Sequence, residues 1–298
     1  MVNSSSHRSP AGTLPTTVAE SGGLVTGLVD DAGLFPPEEL PMDRAVARHR
    51  QDLAAASPVL SHRFICPALR LDELRSQLTA GDHFEVSMIS ALVPDAVAAA
   101  VTAIDADPRL SLAALEGVLP TDWAADPNRV IAAVAALAAD VPAYLEIPLS
   151  GGVGAAVRFL ADQGWSAKIR CGGVRTELFP AAEQLATAIE TCVAAGVAFK
   201  ATAGLHHAVR YRDPATGFTH HGFLNILVAV GRSVAGRGPD AVGQALLSTD
   251  GDALVAEART IAEAGVDARG TFLSYGSCST ADPINDLIGL GLLTPTPA

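Results

Sequence analysis

The sequence predicts an α/β protein built as a (β/α)8 TIM barrel with an enlarged, partly helical insertion after the seventh strand. Three observations predict it. First, a short apolar run, a loop with Gly or Pro, and an Ala- and Leu-rich amphipathic stretch recur in that order along the chain, and such alternation builds parallel βαβ units. Second, eight of these units fit within residues 21–298, the usual span of a closed barrel. Third, the first unit lacks the GxGxxG turn expected of a doubly wound dinucleotide fold.

The elements follow in order. Residues 1–20 have no apolar segment of the kind a secretory signal needs and read as a disordered polar tail. The apolar runs expected to be strands are Leu24–Asp30, Val59–Cys66, Phe84–Ile89, Leu110–Glu116, Ala143–Pro148, Ala167–Cys171, Ala198–Ala203 and Thr271–Tyr275. Helical periodicity falls between them, over Pro41–Ala55, Leu71–Leu78, Pro94–Ile104, Pro127–Ala138, Gly152–Gln163, Ala181–Ala195 and Asp252–Ala264. The rhythm breaks once, at 206–248. There His206–His221 reads as a hairpin around a Pro/Gly turn, and helical segments follow at Phe223–Val234 and Asp240–Leu246. Insertions in βα loops lie over the C-terminal mouth of a barrel, so this segment is expected to be a lid, with an oligomer contact as the alternative.

Composition narrows the function classes. Apolar residues make up 49% of the 298 and charged residues 17%, enough aliphatic material for a large core. The formal charge of −12, with no basic stripe, argues against nucleic acid and anionic membranes as partners. No apolar run is long enough to span a bilayer. Four scattered cysteines without zinc-type spacing fit a reducing, cytoplasmic setting better than a disulfide framework. The expected partner is a small anionic or carbonyl substrate, with a homo-oligomer left open.

Strand alternation says which side chains face the barrel interior. The apolar neighbours of Glu116, Glu146, Lys168, Arg170, Lys200 and Thr202 point these six inward; the direction of Glu85 is left open because both faces of its strand could be buried, and Arg63 and Asp30 join from strands two and one. Barrel interiors are normally packed with branched aliphatics, and an unpaired buried ion costs several kcal/mol, so this polar interior reads as a site. The lysines sharpen the reading. The chain carries 20 basic residues, and only Lys168 and Lys200 are lysines. Both fall on neighbouring inner-wall positions. Unlike arginine, a lysine amine can be desolvated and depressed by a nearby cation until it attacks a carbonyl or acts as a base.

Two segments carry a family resemblance. Residues 195–204 (AGVAFKATAG) resemble the GADFIKTSTG segment of deoxyribose-phosphate aldolases, and residues 168–176 (KIRCGGVRT) resemble their KASGGIRT segment, in the opposite chain order. The resemblance implies a class I, Schiff-base carbon–carbon lyase, with one lysine as nucleophile and a second perturbing it. Lys200 matches the nucleophile by motif and Lys168 by strand number. Under that reading no cofactor is needed, Glu116 or Glu146 moves protons, and Thr202 orients water or a carbinolamine hydroxyl. An anionic group would be held by Gly172 and Gly173, or by Gly276, Ser277 and Ser279 ahead of the last helix, where the alternative is an ordinary helix cap. His206 and His207 follow strand seven and diverge, so one of them is expected to reach the site; no zinc spacing supports a metal there. Two other readings compete: Mg²⁺-dependent enolate chemistry with Glu85, Glu116 and Glu146 as ligands, and a non-catalytic small-molecule-binding barrel.

Overall fold

The computed structural model describes residues 22–294; the tail expected at 1–20 lies outside them. Strands β1 (Val29–Asp31), β2 (Leu60–Pro67), β3 (Phe84–Ile89), β4 (Leu110–Val118), β5 (Ala143–Glu146), β6 (Ser166–Arg170) and β7 (Phe199–Thr202) pair in parallel. A short antiparallel hairpin, β8 (Tyr211–Arg212) and β9 (Thr219–His220), follows β7. The last strand, β10 (Phe272–Ser277), then lies between β7 and β1 and closes the barrel. The eight-stranded parallel barrel expected from the sequence is the observed fold.

Ten helices are present among the described residues. They are α1 (Met42–Ala55), α2 (Leu71–Gln77), α3 (Pro94–Asp105), α4 (Pro127–Val134), α5 (Val153–Gln163), α6 (Ala182–Ala195), α7 (Phe223–Val234), α8 (Pro239–Leu247), α9 (Gly251–Glu263) and α10 (Ala281–Gly289). Proline at the first turn starts α3, α4 and α8, where its missing N–H costs nothing. Helices α5 and α6 each end on a glycine in the left-handed region, Gly164 (φ 70°) and Gly196 (φ 65°). Those two stops turn the chain directly into β6 and β7, the strands that carry the lysines.

Outward-facing residues such as Leu115, Leu145, Ile169 and Phe199 are fully buried against the helices and form a continuous aliphatic layer. Burial of that layer, at about 25 cal/mol per Å² of apolar surface, is the main stabilising term. It leaves the inward positions free to be polar.

Several boundaries differ from expectation, α4 among them, which ends at Val134 rather than Ala138, and two differences matter most. The first strand starts at Val29 rather than Leu24, because Gly27 takes a left-handed backbone (φ 59°) and Leu24 and Val25 are buried in the turn before it. Within 206–248 only the hairpin resembles a lid. Helix α7 is buried over most of its length, with Gly231 packed against Ile261 of α9, so it belongs to the core. No described helix is long and apolar enough to cross a membrane.

Candidate active site

Strand register brings the charged side chains together. Lys168 pairs with Lys200 across β6 and β7, Glu146 pairs with Lys168 across β5 and β6, and Lys200 pairs with Ser274 on β10. Adjacent strands lie about 4.8 Å apart, so side chains on one face of these pairs share a layer.

The result is a ladder of alternating charge. Lys200 Nζ lies 2.5 Å from Asp30 Oδ2 and also donates to Glu116 Oε1. Glu116 Oε1 accepts a second bond from Ser87 Oγ at 2.6 Å. Lys168 Nζ sits 3.0 Å from Glu116 Oε2, off the direction of a hydrogen bond, so Oε2 is buried with an ion-pair neighbour and no hydrogen-bond donor. Glu146 Oε2 is 3.8 Å from Lys168, and both its oxygens are held by Arg170, at 2.8 and 3.4 Å. At the other end Asp30 accepts from Ser61 and, at 3.0 Å, from Ser274. Tyr144 covers Lys200, its ring centroid 5.8 Å from Nζ.

Electrostatics correct one expectation. The two amines do not face each other bare, because Glu116 stands between them. Burial alone would push the Lys200 ammonium down, but the charges of Asp30 and Glu116 outweigh it and its pKa is raised. Burial likewise pushes Glu116 up, and Lys200 and Lys168 overcome it and bring the carboxyl down to about 2. Lys200 is therefore a fixed ammonium, 1% exposed and bonded on two sides.

Parity does not give the height of the remaining candidates along the barrel. Arg63 pairs with Glu85 near the N-terminal end of β3, with Arg63 4.0 Å from Asp30 and Glu85 exposed to solvent. Neither reaches the mouth. Glu85, Glu116 and Glu146 do not converge, and no group of three His, Cys, Asp or Glu able to hold a metal ion occurs among the described residues. With both oxygens of Glu116 and of Glu146 facing cations, this donor set does not fit Mg²⁺. Thr202 is half-buried at the end of β7, opposite Arg170.

The glycines nominated for an anion stand where a side chain would not fit, and the serines bond within their own loop. Gly172 is packed so closely by Phe179 and Gly204 that a Cβ would collide, and Gly173 is packed by Leu178. A Cβ on Gly276 would meet Ile65 at 2.9 Å. Ser277 Oγ donates to Ser279 O at 2.6 Å, and Ser279 Oγ accepts the N–H of Asp282 at 3.2 Å, so Ser279 caps α10.

His206 and His207 diverge as their adjacency requires. His206 Nδ1 lies 3.4 Å from Cys278 Sγ on the loop after β10, whereas His207 Nδ1 lies 3.1 Å from Asp286 Oδ2 on α10. The hairpin is fastened to the loops after β6 and β7. His220 Nδ1 donates to Gly204 O at 2.9 Å, and His221 Nε2 donates to Pro180 O at 2.8 Å while its Nδ1 accepts from Arg210 at 3.2 Å. Burial holds His221 and His206 down to about 4, so both rings are neutral near pH 7.

Sequence reasoning missed Ser61, Ser274 and Tyr144. Tyr144 was within reach, since it lies two residues from Glu146 on one face of β5. It also missed Asp31, whose side chain points away from the interior to Arg48 and to His49 Nδ1 at 3.0 Å; Arg48 in turn holds Cys278 O at 2.6 Å and fixes the loop after β10.

No family model matches the chain, and no curated protein matches it. Among solved structures it is similar to the Yersinia pestis DHPS solved with a pterine–sulfa conjugate, at 9% identity and a TM-score of 0.45, over 90% of this chain and 93% of that one. The barrel assignment rests on the strand pairing described above.

Proposed function

We propose that this barrel is an enzyme of the class I aldolase type, a carbon–carbon lyase that forms a Schiff base between Lys168 and a small carbonyl substrate. The observation that carries the reading is the asymmetry at Glu116. Its Oε1 is bonded by Lys200 and Ser87, while its Oε2, buried and without a hydrogen-bond donor, faces the amine of Lys168 at 3.0 Å. An amine with an ion-pair neighbour but no hydrogen bond can leave that position to attack. One bonded on two sides cannot.

In the scheme the free amine of Lys168 adds to the carbonyl carbon; the C=O π pair moves to oxygen, which takes a proton, and nitrogen loses one. Glu116 Oε2 is placed to carry protons between the two atoms. The carbinolamine hydroxyl takes up the proton that the Lys168 ammonium gave up on becoming the free amine and leaves as water, giving the protonated imine. Loss of a proton from the α-carbon then yields an enamine, which adds to a second carbonyl compound and forms the carbon–carbon bond. Cleavage is the reverse sequence, and hydrolysis of the imine returns the amine. Lys200 stays protonated throughout, fixing Glu116 and adding positive potential beside the developing charge. Arg170 and Glu146 form the next rung toward the mouth, with Thr202 opposite. All these groups come from the chain itself.

The test is borohydride reduction in the presence of small aldehydes and ketones, followed by intact-mass measurement. A stable mass increase matching one reduced carbonyl adduct is expected, insensitive to EDTA and absent from Lys168→Arg. No adduct with any carbonyl, together with turnover that EDTA abolishes, would overturn the reading.

A further inference from the structure

From the mouth of the barrel we infer that the carbonyl substrate is uncharged, bearing neither phosphate nor carboxylate at its distal end. This rests on the Schiff-base reading and narrows it.

In a (β/α)8 barrel, a substrate phosphate is usually held by the loops after the last two strands and the start of the helix beyond them. Here that position is filled by the protein's own acids. Asp286 of α10 directs Oδ2 at the backbone N–H of Ala208, 2.7 Å away on the loop after β7, and at His207. That N–H is one an incoming phosphate would need. Asp282 stands in the first turn of α10, where the helix dipole would otherwise favour an anion from outside.

The loop after β10 is tied to itself and to the body of the protein. Its hydroxyls bond within the loop, as described for Ser277 and Ser279, and its carbonyls accept from the body of the protein: Ser277 O from Ala32 N at 2.8 Å, Cys278 O from Arg48. A phosphate entering here would displace a carboxylate from Ala208 N and lie against a second one in Asp282.

The cations of this face are held within the protein, Lys168, Lys200 and Arg170 by carboxylates and Arg210 and Arg212 by neutral groups. Lys168 and Lys200 serve the ladder on the floor, Arg170 grips Glu146, Arg210 donates to His221, and Arg212 donates to Gly217 O at 3.1 Å. Arg175, exposed on the loop after β6, is the exception and is built into the test. Like charges at about 4 Å repel by several kcal/mol at a protein surface, which a neutral substrate avoids.

Full-length protein is given glyceraldehyde or glyceraldehyde 3-phosphate, and the rate of adduct trapping by borohydride is compared. Wild type is expected to trap the uncharged aldehyde about tenfold faster or more. Asp286→Asn, which removes the charge at Ala208 N, and independently Asp282→Asn should narrow the gap by speeding the phosphate ester while leaving glyceraldehyde unchanged. Arg175→Ala should leave the ratio unchanged.

Equal or faster trapping of the phosphate ester by wild type would overturn the inference, as would a ratio that moves only with Arg175. Calorimetric titration with inorganic phosphate reads the same mouth without lysine chemistry. Absence of saturable heat supports the inference, and saturable heat contradicts it. If neither aldehyde is trapped, the Schiff-base reading fails, and the titration decides the charge of the mouth by itself.

Discussion

The walls formed by β6 and β7 carry the same side chain at paired positions, Lys168 and Lys200, and surround it differently. On β7 the amine is 1% exposed, reaches Asp30 and Glu116 together, and is raised in pKa by them. On β6 the amine is 4% exposed and touches the same Glu116 without a hydrogen bond, while its second carboxylate, Glu146, is already held by Arg170. Residue type and strand position therefore do not set the role. The way each amine is held by its two carboxylates does. In the proposed reading one lysine is a structural cation and the other the nucleophile, and a single glutamate links them.

The largest expected effect comes from breaking the β6 side. Lys168→Arg should reduce turnover on the order of 10³-fold or more while leaving the melting temperature close to wild type, because a cation still faces Glu116. Turnover and calorimetry check the two halves of that statement. Glu116→Gln comes next. It leaves two buried ammonium groups without their shared carboxylate, with a cost of about 3–5 kcal/mol in stability, and it should slow trapping by about 10²–10⁴-fold; denaturant melts and trapping rates measure these. A stable and fully active Glu116→Gln protein would refute the ladder.

Acid separates the floor of the site from its hairpin. Glu116 has a folded pKa of about 2 against an ordinary 4.5, so its contribution is complete above 4.5 and is lost as pH falls through about 2. His206 and His221 lie at about 4 against an ordinary 6.5; the unfolded chain takes up their protons first, and their contribution is lost between 6.5 and 4. Hydrogen exchange should therefore show residues 206–222 loosening below pH 6.5 while β4 and β7 remain protected. The smallest effect is predicted for Arg63→Ala, 4.0 Å from Asp30 and partly exposed near the N-terminal end, with less than about 1 kcal/mol in stability and little change in rate.

Much of this was legible in the sequence. The βα rhythm gave the barrel, and alternation alone turned Glu116, Glu146, Lys168, Arg170 and Lys200 inward. Alternation gives the face of a strand but not the height along the barrel, which depends on the register between strands. The low position of Arg63 and Glu85 along the barrel thus appears only in the register between β2 and β3. The bonding of Lys200 to Asp30 spans β7 and β1, far apart in the chain, and no local pattern announces it. The serines before α10 were legible as either an anion nest or a cap. The N–H of Asp282 bonded to Ser279 Oγ, seen only in the folded chain, decides for the cap.

The most direct measurement is the site of modification. After borohydride trapping with a small aldehyde, digestion and tandem mass spectrometry should place the reduced adduct on Lys168, in the peptide spanning 159–170, with Lys200 unmodified. An adduct on Lys200 would contradict the central claim, because it would show that the amine bonded on two sides is the one that reacts.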